Sequence, residues 1–229
     1  MYALAAHSNR TSNGAGHLTA GGTAMSEANP MVIIVDDDVS IRESLQPALE
    51  LAGWTVKSFE SATAFLESEA PEGPSCLLLD VSLPDLSGLD LQARIADRRA
   101  EMPIIFMTGY GDVPMTVRAM KAGAAEFLTK PLDEEILFAA VERAIAQSRI
   151  AVRERAAMRA IKARYASLSR REREVLRLIV AGRLNKQVGG DLGISEITVK
   201  AHRGRVMEKM KAGSFADLVK MSAKLRLEE

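Results

Sequence analysis

The chain has 229 residues, 47% of them apolar, with one cysteine and 30 Lys and Arg set against 30 Asp and Glu. That length suits one large domain or two ordinary ones, and the lone Cys76 excludes an internal disulfide framework and fits a reducing cytoplasm. Apolar runs such as 31–35 and 76–79 fall far short of the ~20 residues of a membrane-spanning helix, so a soluble protein with no membrane partner is expected, and zero net charge at face value argues against nucleic acid.

Residues 1–30 are rich in Ala, Gly, Ser, Asn and Thr, carry only Arg10 and Glu27 as charges, and have no apolar period. Such a segment buries little surface and reads as a disordered tail, with Met1 and Met25 both open as translation starts. From Met31 onward short apolar runs alternate with helical patterns, the mark of a parallel sheet covered by helices. Strands are predicted at 31–35, 54–58, 76–80, 103–107 and 125–128. Helices are predicted between the first two strands, where Gly53 supplies the stop, and at 62–68, 88–99, 113–122 and from 133 onward. Together they predict an α/β doubly wound, five-stranded parallel sheet over residues 31–142.

In such a sheet ligands bind beyond the carboxyl ends of the strands. Asp36, Asp37 and Asp38 follow the first strand, Asp80 ends the third, Thr108 follows the fourth and Lys130-Pro131 follows the fifth. Each has a structural alternative: Asp38 as a helix cap, Thr108 as a turn residue, Asp80 as a strand-end cap, Lys130 as a solvated charge. Taken together they gather carboxylates that repel one another unless a cation is present, which points to a metal.

Val35-Asp36-Asp37-Asp38, Asp80-Val-Ser-Leu-Pro-Asp-Leu-Ser-Gly88, Met107-Thr-Gly-Tyr-Gly-Asp-Val-Pro114 and Ala119-Met-Lys-Ala-Gly-Ala-Ala-Glu-Phe-Leu-Thr-Lys-Pro131 resemble the receiver domain of bacterial two-component response regulators, in particular the FixJ subfamily. The resemblance implies a flavodoxin-like strand order 2-1-3-4-5 and Asp80 as the phosphoacceptor. It also implies Mg²⁺ held by Asp37, Asp80 and the backbone carbonyl of Ser82, with Asp36 acting through water. Lys130 and Thr108 would contact the phosphoryl oxygens, and a cis Lys130–Pro131 bond is expected. Phe127 would turn inward as a switch, its bland alternative being a core phenylalanine. Val117 and Lys121 are then candidate dimer contacts on the fourth helix.

Beyond Pro131, Val141, Ile145, Val152, Ala156 and Ile161 keep a helical stripe, and no Gly or Pro interrupts 132–168. Residues 143–166 are therefore read as a linker, either a continuation of the fifth helix or a flexible basic segment. Residues 167–229 read as a second domain. Ser169 followed by Glu172 has the capping-box pattern, Gly182 ends that helix, Leu184, Val188 and Leu192 mark a second, and a third is expected from about 196 to 210. Two short helices around Gly193-Ile194-Ser195 read as a helix-turn-helix.

On the third helix Val199, Val206 and Met210 should pack inward. Lys200, Ala201, Arg203 and Gly204, with Arg205 and Lys209 nearby, should face outward. Ala201 and Gly204 permit close approach to bases, Lys200 can donate to guanine, and Lys186, Arg203 and Lys209 suit phosphates. Arg171-Glu-Arg-Glu-Val-Leu176, Gly182-Arg-Leu-Asn-Lys186, Leu192-Gly-Ile-Ser195, Thr198-Val-Lys-Ala-His202 and Met207-Glu-Lys-Met210 resemble the LuxR-type DNA-binding domain, which adds Ser195 and Thr198 to the candidate DNA contacts and Leu218 to the candidate dimer contacts. Gly189-Gly190 departs from the alanine usual at the first of these positions, and fraying of that helix is expected.

The two resemblances imply a phosphorylation-dependent homodimer binding double-stranded DNA, with a sensor histidine kinase upstream and RNA polymerase as an open downstream partner. No separate turnover substrate is implied. An aspartyl phosphotransferase would need a substrate pocket that these short loops do not supply, and a constitutive DNA binder would not need the Asp, Thr and Lys set. The charge count also divides: residues 31–142 hold 8 basic and 20 acidic residues, 143–166 hold 7 and 1, and 167–229 hold 14 and 8. Zero is the sum of an acidic, cation-dependent half and a basic half suited to a polyanion.

Overall fold

A computed structural model describes residues 29–98, 100–109 and 113–225. The expected disordered tail and the Met1 or Met25 start lie outside the described residues, as does the Tyr110-Gly-Asp112 part of the receiver motif. The elements of the first domain are β1 Met31–Val35, α1 Val39–Leu51, β2 Thr55–Phe59, α2 Ala62–Glu67, β3 Ser75–Asp80, α3 Gly88–Arg94, β4 Ile104–Thr108, α4 Val113–Lys121, β5 Glu126–Thr129 and the start of α5 Glu134–Ala166. The five strands form one sheet in the order β2-β1-β3-β4-β5, every neighbouring pair parallel.

Strand periodicity divides the core into two layers. Ile33, Val35, Leu77, Leu79, Ile104 and Phe106 face α2, α3 and α4 through Phe65, Leu91, Ile95 and Ala119. Their alternates Val32, Ile34, Cys76, Leu78, Ile105 and Met107 face α1 and α5 through Leu45, Leu49, Leu137, Val141, Ala144 and Ile145. All six residues of β3 are buried, as a central parallel strand covered on both faces requires.

Several predicted bounds shift, most by a residue. Trp54 lies outside β2 because its N–H closes the end of α1 on the Leu49 carbonyl at 3.2 Å. Pro103 has no N–H to give the ladder, so β4 starts at Ile104 and takes in Thr108. α3 ends at Arg94, and a 3₁₀ turn at Ala96–Arg98 replaces the predicted extension to residue 99.

The segment 143–166 has no break: α5 is one helix of 33 residues, about 50 Å long at 1.5 Å per residue. Its first half packs on the sheet, and Ile161 and Tyr165 near its end join a third core with Leu168, Val175, Leu176, Ile179, Val188, Val199, Val206, Met210 and Leu218. That core gathers α6 Arg170–Val180, α7 Asn185–Leu192, α8 Glu196–Met210 and α9 Phe215–Lys224. Ser169 and Glu172 form the predicted capping box. α7 runs unfrayed through both glycines and closes on Gly193 in the left-handed region, φ 66°. The reason is local: a Cβ on Gly189 would lie 2.7 Å from the Ile194 carbonyl, so the bare residue lets the turn close tightly over the helix.

Candidate functional site

The parallel strands deliver β1, β3, β4 and β5 to one edge, where their last residues meet. Asp36 is fully buried just beyond β1; its Oδ1 accepts from the Asp38 N–H at 3.0 Å and its Oδ2 from Lys130 Nζ at 2.7 Å. Asp80 ends β3, with Oδ2 accepting from the same Nζ at 2.8 Å and Oδ1 from the Ser82 N–H at 3.1 Å. Asp37 is exposed beside them, and the three aspartates bring one oxygen each within 4.8 Å of one another. Asp38 caps α1, its carboxylate accepting from the Ser40 N–H at 2.8 Å.

One ammonium thus serves two carboxylates. Burial pushes the Asp36 carboxyl above its usual range despite the opposing bonds from Lys130 and Asp38. For Lys130, burial acts downward, but its hydrogen bonds to Asp36 and Asp80 outweigh it and hold the ammonium above its ordinary value. The cis Lys130–Pro131 bond lies at this edge, as the resemblance implied. Thr108 is buried at the end of β4. Phe127 is half-buried on β5, its ring 6.2 Å from that of Phe106 and packed on the same core layer. Val117 and Lys121 are exposed on α4.

Three supports were missed in the sequence reading. Arg42 on α1 donates to the Asp36 carbonyl at 2.6 Å. Gly88 lets the start of α3 meet the end of β3: a Cβ there would stand 2.4 Å from the Asp80 carbonyl. Asp85 ties the loop after β3 to α2, accepting from Thr63 Oγ1 at 2.6 Å and from the N–H groups of Thr63 and Ala62 at 2.8 and 3.3 Å. The Thr63 hydroxyl and these N–H groups hold its carboxyl down to about 2. The spacing from Asp80 to Gly88 was the visible signal for the glycine; Arg42 reaches a carbonyl only six residues back and carries no spacing signal, and the Asp85 tie is a long-range contact.

At the far end of α5, Ser195 caps α8, its Oγ accepting from the Thr198 N–H at 3.1 Å and lying 2.8 Å from the Thr198 hydroxyl. Val199, Val206 and Met210 are buried as expected, and Lys186, Lys200, Ala201, Gly204 and Arg205 are exposed. Lys200 lies 3.4 Å from Glu196, one helical turn back. Arg203 is half-buried, its guanidinium 3.2 Å from Asn185 Oδ1 and 4.8 Å over the Phe215 ring.

Lys209 Nζ pairs with the buried Glu172 carboxylate at 2.7 Å, its side chain 39% exposed. One expected role needs correction. Leu218 is not a dimer contact, because it is 0% exposed within the core of its own domain. Helical spacing placed both residues on the right helices without revealing which neighbour each meets. Ile197, passed over in the sequence reading, stands 80% exposed in the first turn of α8.

Residues 32–142 match the family model described as a response regulator receiver domain, and residues 166–222 match bacterial regulatory proteins of the luxR family. Nodulation protein W of Bradyrhizobium diazoefficiens is 45% identical over 205 residues, covering 90% of this chain and 90% of its own length. The transcriptional regulatory protein FixJ of Azorhizobium caulinodans is 45% identical over 198 residues, 86% of this chain and 93% of its own. The low-resolution structure of the response regulator StyR superposes with a TM-score of 0.78 at 44% identity, covering 86% of this chain and all of that one. An acidic sheet edge on a 2-1-3-4-5 sheet, a helix-turn-helix beyond α5 and relatives matched over nearly their whole length lead to one conclusion: the chain is a two-component response regulator, with a receiver domain and a LuxR-type DNA-binding domain.

Proposed function

We propose that the protein is a phosphorylation-controlled transcriptional regulator in which Asp80 accepts a phosphoryl group from a sensor histidine kinase. The position of Asp80 carries this reading: it ends the central strand, one oxygen fixed by a backbone N–H and the other by Lys130 Nζ. The donor set suits a hard divalent cation. It offers only oxygens, and three clustered carboxylates against one ammonium leave a residual charge opposite to that of Mg²⁺. Asp37, Asp80 and the Ser82 carbonyl would hold the ion directly and Asp36 through water. Bound there, Mg²⁺ would screen the repulsion between the carboxylate and the incoming phosphoryl oxygens.

An Asp80 oxygen attacks phosphorus as the bond to the donor imidazole nitrogen breaks, the electron pair leaving with the imidazole. Lys130 exchanges a carboxylate partner for a phosphoryl oxygen, and the Thr108 hydroxyl turns toward the same group. Phe127 follows into the space behind Thr108, which reshapes the exposed face of α4 around Val117 and Lys121. Two receivers pair through that face and bring two α8 helices to DNA half-sites, with RNA polymerase as the downstream partner. Lys186 and Arg205 contact phosphates while Lys200, Ala201 and Gly204 face base edges.

The test is incubation of the full chain with acetyl phosphate and Mg²⁺, followed by intact-mass, sedimentation and DNA-affinity measurements, in parallel with Asp80→Asn. The wild type should gain one phosphoryl group, double its mass in solution and bind DNA at least tenfold more tightly; the variant should do none of these. Uptake with no change in DNA affinity would refute phosphorylation control, and no uptake would refute the phosphoacceptor assignment.

A further inference from the structure

We infer that Ile197 reads the 5-methyl group of a thymine in the major groove, making it a specificity-determining residue of this regulator; the inference rests on the DNA-reading role proposed for α8. Ile197 is the second residue of α8 and is 80% exposed, although burying an isoleucine side chain stabilises a fold. Its place follows from helical phase. At 100° per residue, Ile197, Ala201 and Gly204 fall on the side of α8 away from the buried Val199, Val206 and Met210, and all three are exposed. No Cβ at Gly204 would meet anything within 4 Å, so nothing of the protein fills the space in front of it.

In a helix-turn-helix the first residues of the second helix reach the base edges. The start of α8 is held for that purpose, since the Ser195 cap and the 2.8 Å Ser195–Thr198 hydroxyl contact fix its first turn. Ile197 can neither donate nor accept a hydrogen bond. Set against guanine, adenine or cytosine it would strip water from N7, N6 or N4 and return nothing, whereas thymine offers an apolar methyl group. A β-branched side chain in a helix keeps essentially one χ1 rotamer, so the contact requires little ordering on binding. Ala201 and Gly204 add no bulk farther along the same face, so the helix can lie low enough for Ile197 to touch the groove floor.

The experiment uses the full chain with Mg²⁺ and acetyl phosphate. Duplexes are selected from a random library, and each selected thymine is then replaced singly by deoxyuracil, which removes only the methyl group. Fluorescence anisotropy should find one position per half-site where deoxyuracil weakens wild-type binding about fourfold, the worth of one buried carbon. Ile197→Ala should bind the parent duplex more weakly and lose that discrimination at that position alone. The side chain is exposed, so the substitution leaves the fold intact. A selected motif with no thymine sensitive to deoxyuracil, or a sensitivity that persists in Ile197→Ala, would overturn the inference while leaving DNA reading standing. Selection of no motif at all would overturn the DNA-reading function and the inference with it.

Discussion

At the acidic edge of the sheet, a single lysine side chain sets the resting state. Lys130 bridges Asp36 and Asp80, and any cation or phosphoryl group arriving there must compete with it for the same oxygens. The geometry of that edge rests equally on a residue without a side chain. Gly88 N–H donates to the Val81 carbonyl at 2.9 Å, and a Cβ at Gly88 would meet the Asp80 carbonyl at 2.4 Å and Val81 Cα at 3.1 Å. Backbone atoms at both contacts cannot rotate aside. Gly88→Ala should therefore destabilise the receiver by about 1–3 kcal/mol, as overpacking does, and shift Asp80. Trp54, the only tryptophan, packs edge-on to Phe138 within the receiver core, so its fluorescence during urea unfolding measures that loss directly. An unchanged midpoint would mean that α3 is free to move away from β3. Most of this site was legible in sequence because its residues follow strand ends, which chain order locates. The Asp85–Thr63 tie was not, because it joins segments 22 residues apart that only folding brings together, and Arg42 was not, because a long side chain reaching back six residues to a carbonyl leaves no spacing signal.

At the level of the helices, local chemistry proved the more reliable guide to where an element begins than to what its far end touches. The capping box at Ser169 and Glu172 and the start of α8 at Ser195 follow from side chains acting on their own backbone, and the Gly182 and Gly193 stops from the left-handed backbone that glycine adopts without strain. Lys209 lies outside that reach: it is 37 residues from Glu172 in sequence, and only the crossing of α8 against α6 makes them partners. Their pairing has a pH signature. The Lys209 hydrogen bond, together with the Ser169 N–H, holds the buried Glu172 carboxyl below its usual range. A carboxyl depressed in the folded state stabilises it above the unfolded glutamate pKa of about 4.3, and that contribution fades as pH falls through the lower folded value. Wild type should thus protect the α6 amides from hydrogen exchange better than Glu172→Gln at pH 6. The two should converge as the solution is taken below the ordinary glutamate range. Equal protection at pH 6 would mean that the ion pair adds nothing to α6.

Across the whole molecule, the charge division and α5 belong to one design. An acidic receiver and a basic DNA-binding domain share a helix whose ends are built into two different hydrophobic cores. Sequence left the linker open between helix and flexible segment, since an Arg- and Ala-rich stretch with good helix propensity folds only if something holds it. Packing at both ends supplies that, and so does the middle. Arg155 Nη1 donates to both Glu101 carboxylate oxygens at 2.6 and 2.7 Å, and Ser148 Oγ bonds to the Glu101 carbonyl while accepting from the Ser75 N–H at 2.9 Å. A continuous helix transmits orientation, so its phase should matter more than its length. Two alanines inserted after Ala157, in the exposed stretch of α5, turn everything beyond by about 200°, whereas a seven-residue helical insertion returns it to within about 20° and lengthens the rod by about 10 Å. The two-residue variant should still take up phosphate on Asp80 yet lose the phosphorylation-dependent gain in DNA affinity. The seven-residue variant should keep both. If both insertions respond to phosphorylation as the wild type does, α5 is a tether, and signalling between the domains depends on pairing of the receivers alone.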